Sequence, residues 1–100
     1  MEKHLFAMFI ERGKAYNTMT KAVAERHVAN IRALDDSGKL EYCGVFKGFP
    51  KIAGMLLLRA DSREEAEEIC KSEPLVVEGF ATYKLYDFKA ANRDNNYLMD

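Results

Sequence analysis

At 100 residues the chain has room for one domain with a two-layer core and not for two separate lobes. Its 48% hydrophobic and 31% charged residues fit a soluble globular protein and exclude wholesale disorder. With 15 basic and 16 acidic residues interspersed and a net charge of −1, there is no basic stripe to release phosphate counterions and no acidic tail, which argues against nucleic acid as a partner.

The first apolar run, Leu5-Phe6-Ala7-Met8-Phe9-Ile10, is continuous rather than alternating. It predicts a strand covered on both faces, which one layer of helices in so short a chain does not supply, and so points to a homodimer. The same run, after Met1-Glu2-Lys3-His4, is too short for the apolar core of a signal peptide, and no later run has the length to span a bilayer. Together with two well-separated cysteines outside any zinc spacing, Cys43 and Cys70, this predicts a cytoplasmic protein with free thiols and no membrane partner. Both thiols read as small buried hydrophobes.

After a polar connection, in which Asn17, Thr18 and Thr20 are all candidate caps, the spacing predicts a helix over Met19 to Asp35. At about 100° per residue, Val23, His27, Ile31 and Leu34 share one narrow sector, with Lys21, Glu25 and Arg32 opposite. His27 therefore points toward the core. An unpaired buried polar group costs roughly 1–3 kcal/mol, so the imidazole requires a hydrogen-bond partner.

Ser37-Gly38 ends that helix, Leu40 to Phe46 reads as a second strand, Lys47 to Lys51 as a turn, and Ile52 to Ala60 as a third strand in a hairpin with the second. Ser62 and Glu65 form a capping box for a second helix to about Lys71, whose buried face is Ala66, Ile69 and Cys70. Ser72-Glu73-Pro74 breaks the helix, one further turn follows before Gly79, and Phe80 to Phe88 is the fourth strand. The order strand, helix, strand, strand, helix, strand is the ferredoxin-like βαββαβ pattern of an α+β fold with a four-stranded antiparallel sheet. Lys89 to Asp100 reads as a polar tail or an arm laid on a partner subunit, and the whole chain, 1–100, as a single domain.

The run from His27 to Cys43-Gly44, and the run Ser62-Arg63-Glu64-Glu65-Ala66-Glu67-Glu68 followed by Ser72-Glu73-Pro74-Leu75 and a closing strand to Phe88, together resemble the YCII-related proteins. The resemblance implies subunits pairing through their sheets into a dimeric α+β barrel, with a pocket near the helix histidine. It also implies a catalytic pair of histidine and acid. The pair falls on His27 and Glu73, with glutamate where the family usually has aspartate and Leu75 where it usually has an aromatic residue.

A carboxylate beside an imidazole is equipment for general acid–base chemistry near neutral pH. The expected function is therefore an isomerase- or hydrolase-type proton transfer on a small metabolite, with His27 and Glu73 catalytic and neither metal nor organic cofactor. Arg26, adjacent to the histidine, and Arg12, just past the first strand, are candidates to bind a substrate carboxylate. Two alternatives stay open: a non-catalytic metabolite-binding or dimerisation module, and a core histidine satisfied by one glutamate. Tyr83 and Tyr86 lie an odd number of residues apart and should face opposite sides of the sheet.

Overall fold

The computed structural model describes residues 4–99. Residues 1–3 and 100, which the single-domain and signal-peptide readings include, lie outside them. The chain runs through β1 (His4–Arg12), α1 (Lys21–Asp36), β2 (Leu40–Val45), β3 (Ile52–Ala60), α2 (Arg63–Lys71), the single turn α3 (Pro74–Val77) and β4 (Ala81–Phe88). Two 3-10 turns complete it, at Tyr16–Thr18 between β1 and α1 and at Arg93–Leu98 after β4.

The strands form one antiparallel sheet in the order β2-β3-β1-β4, giving an α+β, ferredoxin-like fold. Register decides which residues share a face. Phe6 lies opposite Leu58, and Met8 lies between Leu56 and Leu85. These side chains, with Ile10, meet Val23 and Leu34 of α1, Ala66, Ile69 and Cys70 of α2, and Leu75 of α3 in one buried core. A bulge lets Ala53 join it, because Ile10 pairs with Gly54 while Glu11 pairs with Ile52.

The opposite face has no helix. There Phe9 stacks on Phe46, with centroids 6.3 Å apart, and meets Tyr86 edge-on at 5.9 Å, while Tyr42, Phe49 and Phe88 are exposed around them. This arrangement explains the unbroken apolar runs of β1 and β3: one set of side chains fills the core, and the other, Ala7 and Phe9 of β1 with Met55 and Leu57 of β3, lies on the face that carries the aromatic rings.

Local chemistry sets the element ends. Thr20, of the three candidate caps, is the one used, its Oγ1 accepting from the Val23 N–H at 3.3 Å. Gly38 leaves α1 in the left-handed region at φ +76°, where a side chain would be strained. Ser62 caps α2 by accepting from the Glu65 N–H at 3.1 Å, and the Glu65 carboxylate accepts from the Asp61 N–H. Caps of this kind are worth about 1 kcal/mol each. No helix among the described residues is long and apolar enough to cross a membrane.

Candidate functional site

The site is assembled from α1 and α3. Pro74 occupies the first turn of α3, where its missing N–H costs nothing, and holds the preceding Glu73 in an extended conformation. Glu73 then becomes the cap of α3, with Oε2 accepting from the Leu75 N–H at 2.6 Å. Its other oxygen accepts from Nδ1 of His27, which reaches across from the middle of α1. The Glu73 side chain is 1% exposed and that of His27 22%.

This differs from an imidazole sunk in the core. The buried member of the pair is the carboxylate, and the imidazole forms a partly open wall above it. A buried charge needs its oxygens occupied, and Glu73 has one donor on each.

The pairing also fixes the chemistry of the ring. With the carboxylate as acceptor, Nδ1 is the donor of this pair, and Nε2 is the ring nitrogen that Glu73 leaves unengaged. His27 lines a pocket of about 110 Å³ with Ile10, Tyr16, Ile31, Cys43, Gly44, Val45, Ala53, Gly54, Met55, Leu56 and Leu75. For scale, an apolar cavity of about 150 Å³ holds one benzene ring. The pocket is therefore of single-ring size, apolar in most of its lining, and carries an imidazole, a phenol and a thiol.

Arg12 and Arg26 are both committed elsewhere, and neither lines this pocket. Arg26 grips Glu78 through Nε and Nη2 at 2.8–3.1 Å, tying α1 to the end of α3. The hydrogen bond and charge of Glu78 hold the Arg26 guanidinium above its ordinary pKa. The Nη1 of Arg12 donates to the carbonyls of Phe49 and Pro50, each at 2.8 Å, and its guanidinium lies over the Tyr16 ring.

Tyr83 and Tyr86 do face opposite sides. Tyr83 turns to the helices and donates to Glu67 at 2.6 Å, a bond that pushes its phenol up to about 12, whereas Tyr86 joins the aromatic surface. Neither lines the pocket. Cys70 is buried as expected, but Cys43 is exposed, because β2 is an edge strand whose residues 41–45 α1 leaves uncovered. Tyr16 and Cys43 line the pocket beside His27, a proximity that the sequence does not show, since only the fold brings the β1–α1 connection and the edge strand to the same hollow. Among the described residues no three His, Cys, Asp or Glu side chains gather as a metal site.

A family model described as the YCII-related domain matches residues 4–89. No curated protein sequence matches the chain. Among solved structures, the fold is similar to that of 5-chloro-2-hydroxyhydroquinone dehydrochlorinase from Burkholderia phenoliruptrix, determined in complex with 2,5-dihydroxybenzoquinone. The TM-score is 0.68 at 17% sequence identity, over 85% of this chain and 93% of that one.

Proposed function

The chain belongs to the YCII-related family, and from that premise we propose that it is a small-molecule enzyme that moves protons on a ring-sized, oxygen-bearing metabolite. His27 is the general base and acid, and Glu73 orients it. The observation that carries this reading is the hydrogen bond from His27 Nδ1 to a carboxylate that is itself buried and fixed by the Leu75 N–H, at the wall of a pocket.

In the proposed step, Nε2 takes a proton from a substrate C–H or O–H or from an attacking water. The imidazolium that results is balanced by Glu73, and it returns the proton to a different atom of the substrate or to a leaving group. The proposed step uses no metal or organic cofactor. The size of the pocket and the quinone held by the structurally similar dehydrochlorinase both favour a single oxygenated ring.

The proposed working unit is a homodimer, paired through the aromatic face of the sheet. Exposed apolar surface of this extent on a soluble protein marks an interaction site. Tyr42, Phe46, Phe49, Tyr86 and Phe88 make that surface here.

The test is a thermal-shift screen of small lactones, keto acids and hydroxyquinones against wild type, His27→Ala and Glu73→Gln, with mass spectrometry of every stabilising compound. A compound that stabilises only the wild type and is converted by it, with turnover falling at least about 100-fold in both variants, bears the reading out. A compound bound selectively but recovered intact would make the protein a binding module. Turnover that survives in His27→Ala would sink the assignment.

A further inference from the structure

Of the polar groups on the pocket wall, the Tyr16 phenol is the one whose ring and backbone are both held in place. Tyr16 opens the 3-10 turn Tyr16–Thr18, and its backbone is held at both ends: its N–H donates to the Gly13 carbonyl at 3.1 Å, and its carbonyl accepts from the Met19 N–H at 3.3 Å. Gly13 is in turn bonded to Phe80 at 3.0 Å, which pins the connection to the start of β4. The ring is held separately. The Arg12 guanidinium carbon lies 5.1 Å from the ring centroid, within the range of cation–π attraction, and that guanidinium is itself anchored to the Phe49 and Pro50 carbonyls.

Tyr16 is half-buried, and among the described residues its hydroxyl makes no hydrogen bond within the protein and is not a buried atom, so it is open to a ligand or to solvent. It belongs to the same pocket wall as His27, where the other side chains are apolar apart from the Cys43 thiol, a weak donor. The phenol is thus the strongest neutral donor that a ligand beside His27 would meet.

We infer that Tyr16 is a second substrate-contacting residue, its phenol donating a hydrogen bond to a substrate carbonyl oxygen while His27 takes the proton from the adjacent carbon. The inference rests on the proton-transfer reading of His27 and narrows the substrate to ring-sized carbonyl compounds that enolise. The C–H electron pair becomes the C=C bond of the enolate, and the carbonyl π pair moves onto oxygen. The substrate proton resides on Nε2, and the Tyr16 proton stays on its own oxygen. Reprotonation by the imidazolium at another atom completes an isomerisation. A donor aimed at the oxygen that gains charge is worth most in an apolar enclosure. Arg12 is a positioning residue here, acting through the ring it covers.

The experiment titrates 2,5-dihydroxybenzoquinone into wild type, Tyr16→Phe and His27→Gln and follows its visible absorption, with melting temperatures to check each fold. Tyr16→Phe keeps the ring and its stacking. It should melt with the wild type, bind the quinone about tenfold more weakly and shift the absorption band of the bound ligand. Tyr16→Phe binding within about twofold of the wild type, with the same band, while His27→Gln loses affinity would overturn the role of Tyr16 and leave the His27 reading standing. A wild type that does not bind, or two variants that bind as it does, removes both. For Arg12, substitution by Ala should weaken binding in the wild type and have no further effect in a Tyr16→Ala background; equal losses in both make it an anchor of the β2–β3 turn and nothing more.

Discussion

Cys70 shows what burial does to a single titrating side chain. The thiol is fully buried on α2, and that burial, with the charge of Glu67 adding to it, pushes its pKa from 9.0 up to about 12. The folded state therefore holds the proton more tightly than the unfolded chain. The stability this contributes is complete below pH 9 and is lost as pH rises toward 12. Tyr83, raised by its bond to Glu67, adds to the same loss. Denaturant titrations across that window should show stability falling steadily in the wild type and falling less steeply in Cys70→Ala, whatever the variant's starting stability; parallel slopes would show that another group governs the alkaline limb. Among the site residues, His27 was legible from helical periodicity, since its sector contains Val23 and Leu34, both buried. Glu73 was named by resemblance, and its cap geometry explains why: Pro74 leaves the residue before it extended at the mouth of a new turn. Asn30, outside the pocket lining, lies just beyond the edge of that sector. Its buried Nδ2 has no partner among the described residues, a detail that periodicity does not report.

Strand and helix identities follow from patterns that one element carries by itself. The cap of α2, the breaker at Pro74 and the apolar runs of β1 and β3 are local signals, and they locate the elements to within two or three residues at each end. Pairings are not local. Where β2 meets β3, a Cβ added at Gly54 would sit 2.5 Å from the Gly44 carbonyl oxygen, while one added at Gly44 would meet nothing within 4 Å. The two glycines look equivalent in the sequence, yet only one is required by the packing. Gly54→Ala should cost about 1–3 kcal/mol in urea denaturation, because backbone must move to admit it. Gly44→Ala should stay within about 0.5 kcal/mol of the wild type. Equal costs would mean that β2 shifts freely along its neighbour. The exposure of Cys43 follows from the same edge position of β2, and knowing strand order would have been needed to foresee it.

At the scale of the whole molecule the sheet is one-sided: helices cover one face and aromatic rings the other. A radius of gyration of 14.4 Å, against about 13 Å for a compact 100-residue domain, reflects a body drawn out to 48 Å along its long axis. Tyr97, Leu98 and Met99 are exposed in the terminal segment, beyond the family match that ends at residue 89. In the proposed dimer the aromatic face is the seam, so Tyr86→Lys, which places a charge beside Phe9, should weaken association at least tenfold without changing the isolated fold. Sedimentation equilibrium reads this directly. A wild type that sediments as a monomer would remove the dimer from the proposal. The face opposite the seam carries a different liability, which comes from the Glu73 carboxylate serving both the imidazole and the Leu75 amide of α3. A single turn has little stability of its own. If α3 frays, the carboxylate loses the contact that aims it, and His27 loses its fixed tautomer while the sheet remains intact. For the proposed proton transfer, the thermal ceiling would then be set by four residues, Pro74–Val77, rather than by the core that keeps the chain folded.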